Sequence, residues 1–157
     1  MNIILQTILN DTYSLSNLRH KMTILKSYLL HHFFGSAQMQ FDAQDLSWLQ
    51  SLQPEFFQNF NKNNIYETFT QLDKEINNFK VLTIYLTFEP DDQTILSIGA
   101  MVRTKFPNIL LIDIKYDPNL IAGASFVWNG MQKDYSLRST IQQRKEMILE
   151  NLKKYLR

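Results

Sequence analysis

The chain has 157 residues, of which 45% are hydrophobic, with eleven Phe and seven Tyr. This supplies the core of one ordinary domain or two small ones and excludes a disordered chain. Sixteen Lys and Arg stand against fifteen Asp and Glu, so no domain-wide basic surface exists to hold nucleic acid, and the lack of cysteine removes disulfides, thiolate catalysis and Cys-ligated zinc.

Residues Met1 to Leu9 are apolar but lack the basic region and small-residue cleavage site of a signal peptide. No run approaches the roughly 18 apolar residues of a membrane span. The expectation is a soluble intracellular protein, or one peripheral on a larger assembly. Ile3, Ile4, Ile8 and Leu9 predict a short first helix, broken at Asn10-Asp11. Leu15, Leu18, Met22, Leu25, Leu29 and Phe33 then step by three and four, which draws one apolar stripe along a second helix. Ser14 or Ser16 caps it, and Gly35 ends it. Asp42 caps a third helix holding Leu46, Leu49 and Leu52, which Pro54 stops. Phe56, Phe57 and Phe60 fit a short helical turn. The Asn-rich residues 58–64 fit a loop or a helix start. Ile65, Phe69, Leu72, Ile76 and Phe79 mark a longer helix. Residues 1–79 therefore predict a small bundle of four or five helices.

At Lys80 the period changes. Leu82, Ile84, Leu86 and Phe88 share one face of a strand, with Thr83 and Thr87 on the other. Glu89-Pro90 ends it. Asp91 or Asp92 starts a helix in which Ile95, Ile98, Val102 and Phe106 face one way, and Pro107-Asn108 breaks that helix. Ile109 to Tyr116 is the second strand, with Leu110, Ile112, Ile114 and Tyr116 inward and Asp113 and Lys115 outward; Asp117-Pro118 closes it. Asn129-Gly130 between Ala124–Trp128 and Met131–Tyr135 predicts a hairpin, because both turn positions accept positive φ. A last helix is predicted from Ser139, with Gln142 as its capping-box partner and an apolar seam of Ile141, Ile148, Leu152 and Tyr155, widened by Leu149 and Leu156. The fold class is α+β: a helical bundle over 1–79, then a β-α-β-β-β-α sheet domain over 80–157.

Candidate reactive groups are sparse. The adjacent His31 and His32 point to different helix faces, with no acid nearby in sequence, and His20 stands alone, so no metal site is expected. The aromatic group Trp48, Phe56, Phe57 and Phe60 suits a core, and part of it suits an exposed groove for a partner helix. Asp117 and Asp134 as paired catalytic carboxylates need a pocket and a proton donor, for which the sequence offers no pattern. No phosphate loop, nucleophile elbow or His-Glu metal motif occurs.

One run carries a family resemblance. Asp117, Pro118, Leu120, Ile121 and Gly123, followed by the hairpin and then Asp134 and Ser136, resemble the Asp-Pro-x-Leu-Ile-Gly-Gly and Asp-Gly-Ser segments of the delta subunit of F-type ATP synthases, the oligomycin-sensitivity-conferring protein family. Arg138 and Ile141 stand where that family has basic and aliphatic positions. The resemblance covers about residues 80–157. Ala122 and Tyr135 depart from it, each standing where the family has Gly. The E subunit of vacuolar and archaeal rotary ATPases has a related C-terminal pattern, and a small α+β enzyme is the alternative from another class.

The delta resemblance implies a non-catalytic connector at the top of the peripheral stalk, without cofactor or metal. It implies that the bundle binds N-terminal segments of alpha subunits, the sheet domain binds C-terminal helices of b subunits, and the chain does not homo-oligomerise. It places the protein peripherally on the cytoplasmic face of an energy-coupling membrane, or on the matrix side in an organelle. The seven motif residues take structural tasks. Asp117-Pro118 turns the chain, Gly123 permits a close backbone approach or unusual φ, and Asp134 and Ser136 pin the hairpin to the helix start.

Overall fold

The computed structural model describes residues 2–35, 41–107 and 111–155. The readings made for Met1, Asn108, Ile109, Leu110 and Leu156 lie outside the described residues. Two compact units, Met1–Phe79 and Lys80–Arg157, are each described alone.

In the first unit the helices are α1 (Ile3–Leu9), α2 (Leu15–Phe34), α3 (Ala43–Ser51), α4 (Pro54–Phe57) and α5 (Ile65–Asn77). Their ends follow local chemistry. The Asn2 side chain accepts from the Ile4 N–H and caps α1. Of the two candidate serines, Ser14 is the α2 cap, accepting from Asn17 N at 3.2 Å. Gly35 ends α2 at φ +65°, donating to the His31 carbonyl at 2.9 Å, a left-handed cap that glycine adopts without penalty. Asp42 caps α3 through Asp45 N at 2.8 Å. Pro54 opens α4, where its missing N–H has no partner to lose. The Asn-rich stretch is a turn: Asn61 Oδ1 accepts from the N–H groups of Asn63 and Asn64 just before α5.

The predicted stripe of α2 is buried at Leu18, Met22, Leu25 and Leu29, and that of α5 at Ile65, Phe69, Leu72 and Ile76. Each such side chain contributes about 1.5–3 kcal/mol on leaving water. Glu75 of α5 accepts from Asn2 N at 3.1 Å, which ties the start of α1 to α5. Leu46 departs from the expected stripe. It is exposed, and Leu49 alone anchors α3 to the core, because a helix this short presents one turn inward.

The second unit is a mixed four-stranded sheet in the order β2-β1-β3-β4, from β1 (Val81–Leu86), β2 (Leu111–Tyr116), β3 (Ala124–Trp128) and β4 (Met131–Asp134). β1 and β2 are parallel, with Ile84 opposite Ile114, and α6 (Asp92–Lys105) makes the crossover between them. β1 and β3 are antiparallel, with Ile84 also opposite Phe126, so β1 is central. Asp91 caps α6, and its carboxylate accepts from Thr94 N at 2.8 Å. Leu82, Ile84, Leu86, Val102 and Ile112 form the buried cluster, with Ile95 and Ile98 of α6 and Phe126 and Trp128 of β3 packed against it.

Four expectations change here. Phe88 is exposed because β1 ends at Leu86 and no strand continues beneath it. Phe106 is exposed because it is the α6 C-cap, with φ −131° and ψ 78°, and leaves the helical phase of Val102. Tyr116 pairs with Leu86 at the end of the outer strand β2 and is exposed too. The last helix starts earlier and is broken. Ser136, not Ser139, caps α7 (Leu137–Gln143), and Arg144, at φ −106° and ψ 11°, separates it from α8 (Lys145–Tyr155). Neither helix buries a described residue, so the seam of Ile141, Ile148, Leu149, Leu152 and Tyr155 is left exposed rather than in a core. α6 already occupies the face that carries Leu82, Ile84 and Leu86.

Candidate functional site

The run from Asp117 to Ser136 folds into one compact corner of the sheet unit. Asp117 N donates to the Leu86 carbonyl at 2.8 Å, which fastens the end of β2 to the end of β1. Its side chain turns the chain: Asp117 Oδ1 accepts from Asn119 N at 2.9 Å and from Asn119 Nδ2 at 3.1 Å. This is an Asx turn, the task for which a short acid before proline is suited. Pro118 is exposed, Leu120 is half-buried and Ile121 is exposed. Ile121 therefore presents its side chain to solvent rather than to the core.

Gly123 sits at φ +90°. A Cβ placed there meets the Tyr135 carbonyl oxygen at 2.6 Å and Ser136 Cα at 3.2 Å. Both reasons for glycine apply at this one position: a left-handed backbone and a close pass of the chain after β4. That pass is held on either side. Tyr135 N donates to Ala124 O at 3.0 Å, and Leu137 N donates to Ala122 O at 2.8 Å. The hairpin turn itself has Asn129 at φ +50° and Gly130 at φ +76°, the pair of positive values that matches strand twist. Asn129 is the one positive-φ non-glycine residue among those described, so Ala122 and Tyr135 sit where a side chain is sterically permitted. The Tyr135 ring meets Phe126 edge-on, with centroids 5.9 Å apart.

Asp134 and Ser136 act in sequence. Ser136 N donates to Asp134 Oδ1 at 2.7 Å, and Ser136 Oγ accepts from Ser139 N at 3.3 Å. Ser136 is wholly buried. Hydrogen bonds from the Ser136 hydroxyl and then the Ser136 N–H, with a smaller contribution from the Arg138 charge, hold the Asp134 carboxyl below the ordinary aspartate range. A carboxyl held ionised in this way is an acceptor for backbone donors. Proton transfer calls for the opposite shift.

The four aromatic candidates of the first unit divide. Phe56 and Phe60 are buried, with Phe60 ringed by Phe56 and Phe69 at centroid distances of 5.8 Å each, so both are core, and Phe60 also lines the cavity beside Phe57. Phe57 and Trp48 are half-buried. Phe57 lies on a shallow cavity of about 280 Å³ with Tyr28, His32, Phe33 and Pro54. Trp48 lies on another of about 510 Å³, beside Lys21, whose Nζ sits 5.2 Å from the indole centroid. Lys21 also pairs with Asp11 at 2.9 Å. Sequence reasoning missed Tyr28 and Lys21. Tyr28 and His32, stacked at 6.3 Å, are one helical turn apart, a spacing readable in the sequence. No local spacing links Lys21 to Trp48, which only the approach of α2 and α3 brings together.

The histidines do not converge. His20 Nε2 lies 2.9 Å from Asp45 Oδ1 and links α2 to α3, while His31 and His32 are exposed in the last turn of α2, where a basic side chain suits the helix dipole. No group of three or more metal-ligating side chains occurs among the described residues. None of the described helices is long and apolar enough to cross a membrane.

Comparison with known proteins gives one result. The family model described as ATP synthase delta (OSCP) subunit matches residues 61–148, more than half of the chain. The match begins ahead of α5, in the helical unit, where the motif reading from Lys80 onward had no counterpart, and it takes in the whole corner from Asp117 to Ser136. No curated protein matches the chain.

Proposed function

Because the chain belongs to the ATP synthase delta (OSCP) subunit family and is thereby a peripheral-stalk subunit of an F-type ATP synthase, we propose that it joins the alpha subunits of the catalytic head to the b subunits of the stalk. In this role it resists rotor torque while the head makes ATP, and it has no catalysis of its own. The helical unit binds alpha and the sheet unit binds b. The seven motif residues are scaffold, fixing the corner from which α7 and α8 depart.

The observation that carries this reading is the family match across both α5 and the Asp117–Ser136 corner. Surface chemistry supports it. Recognition of a partner helix needs exposed apolar side chains over a rigid frame. On the bundle the half-buried Trp48 and Phe57 each border a shallow cavity. The apolar seam of α7 and α8 supplies exposed apolar side chains on the sheet unit. The protein then sits peripherally on the cytoplasmic face of the energy-coupling membrane, or on the matrix side in an organelle.

The test is binding of the full chain to two synthetic peptides from the same organism, the alpha N-terminal segment and the b C-terminal segment, followed by calorimetry. Trp48→Ala with Phe57→Ala lowers affinity for the alpha peptide alone. A full chain that folds yet binds neither peptide sinks the proposal.

A further inference from the structure

Asn129-Gly130 is the only Asn-Gly pair in the chain; each of the other Asn residues precedes a residue that carries a side chain. The pair forms the two-residue turn between β3 and β4, with φ +50° at Asn129 and +76° at Gly130, and Trp128 pairs with Met131 across it. Both turn residues are exposed, and so is all of β4. A Cβ built on Gly130 would have no atom within 4 Å, so nothing crowds the turn on that side.

Hydrogen bonding sets Asn129 apart as well. The side chains of Asn2, Asn59, Asn61, Asn64 and Asn119 are each bonded to neighbouring groups. Among the described residues, no group bonds to the Asn129 carboxamide or to the Gly130 N–H. The carboxamide carbon is an electrophile and the next main-chain nitrogen is a nucleophile once deprotonated, and both are free here. Only glycine leaves that nitrogen without a side chain beside it.

We propose that Asn129 deamidates spontaneously in the folded chain, and that the isoaspartate formed loosens the β3–β4 hairpin. The Gly130 nitrogen, after losing its proton to hydroxide, attacks Asn129 Cγ. The Cγ–Nδ2 bond breaks, and ammonia leaves with a proton taken from water, which closes a five-membered succinimide. Water then opens the ring. Cleavage between the nitrogen and Cγ gives Asp. Cleavage between the nitrogen and the main-chain carbonyl carbon leaves the chain running through Cβ and Cγ, which is isoaspartate. One water enters, one ammonia leaves, and no atom changes oxidation state.

The two products act differently. Asp keeps the turn, since Asp-Gly suits the same positive φ values. Isoaspartate adds a methylene to the main chain inside a two-residue turn whose length sets the strand register. The Trp128–Met131 pair gives way first, then Val127–Gln132 and the bond from Gln132 Nε2 to Ser125 Oγ at 3.0 Å. Beyond them β4 leads straight into the Asp134–Ser136 corner and α7. Either product also adds one negative charge, which takes the formal net charge from +1 to zero.

The experiment ages the full chain, in a Trp48→Phe background, at mildly alkaline pH beside the same chain in concentrated urea. Peptide mass spectrometry, with fragmentation that tells isoaspartate from Asp, follows each Asn. In the folded chain Asn129 is expected to gain one mass unit before any other Asn, as both products, and faster as pH rises because the attacking nitrogen must be deprotonated. The aged chain should then unfold at lower urea by Trp128 fluorescence. Freshly prepared Asn129→Asp should unfold with the unaged parent, which separates the added methylene from the added charge. Asn129→Gly accepts the same positive φ but has no carboxamide, so its midpoint should not move on ageing. If Asn129 stays intact in the folded chain while it reacts in urea, the turn protects it and the proposal fails. It fails too if another Asn reacts first, or if aged Asn129→Gly loses as much stability as the aged parent. Fresh Asn129→Asp as unstable as the aged parent would overturn the role given to isoaspartate.

Discussion

Replacing Gly123 by alanine tests the corner that defines the sheet unit. At φ +90° an L side chain carries a backbone penalty of about 1–2 kcal/mol. The new methyl also lands 2.6 Å from the Tyr135 carbonyl oxygen and 3.2 Å from Ser136 Cα. Both are main-chain atoms, so no rotamer change relieves the overlap. The segment cannot drift freely either, since Tyr135 N is bonded to Ala124 O, Ser136 N to Asp134 Oδ1 and Leu137 N to Ala122 O. Forcing such an overlap costs a further 1–3 kcal/mol or so, which brings the total to about 2–5 kcal/mol. Urea unfolding followed by the fluorescence of Trp128, in a Trp48→Phe background, reports the sheet unit alone. With a slope near 1 kcal/mol per molar urea, the midpoint should fall by about 2 M or more. Gly130→Ala is the control. Gly130 has φ +76°, but a methyl group there would have no atom within 4 Å, so it carries the backbone penalty without the overlap. If Gly123→Ala is no more destabilising than Gly130→Ala, the close approach after β4 has no energetic role and the reasoning fails.

Ser136→Ala removes the α7 cap and should cost about 1 kcal/mol, measured by the same Trp128 transition together with loss of helical circular dichroism. Asp134, held below the ordinary aspartate range by the Ser136 hydroxyl and N–H, contributes stability fully above the unfolded-state pKa of about 3.9. That contribution is lost as pH falls through the lower folded value; a carboxyl-carbon titration of Asp134 centred at or above the unfolded value would contradict it. Phe60→Ala should destabilise the helical unit by about 3–5 kcal/mol, followed by Trp48 fluorescence in a Trp128→Phe background. Phe57→Ala, at a half-buried position, should cost less than half as much, and equal losses would mean that both rings are core. We also propose that residues 80–157 expressed alone keep a cooperative urea transition, and a non-cooperative one would make the two units a single domain.

The helices of the first unit were legible because their caps and stripes are local. Ser14, Asp42 and Gly35 each act within four residues of themselves, and Leu18 to Leu29 follow one periodicity. The same holds for Asp91, for the Asn129-Gly130 turn and for the alternation of β1. Legibility failed where burial depends on a neighbour distant in sequence. Phe88 continues the β1 pattern past the end of the sheet and Tyr116 stands at the last pair of the outer strand, while Phe106 leaves the helical phase for a local reason, as the α6 C-cap. Ser136 rather than Ser139 caps α7 because the chain after β4 is already pinned to Ala122 and Ala124, which fixes where the helix can begin.

By itself, the sequence determined the change from helical to strand period near Lys80, the Gly35 and Asp42 caps, the Asn129-Gly130 turn and the family motif, since each is written within a few residues. Only the tertiary structure decided which aromatic side chains are core and which are surface, why position 123 excludes any side chain, and that the last apolar seam stays exposed. Those outcomes depend on which elements meet, and a periodic stripe records only that a face is apolar. The same spacing of Ile148, Leu152 and Tyr155 would serve a helix packed on the sheet, yet all three side chains are exposed.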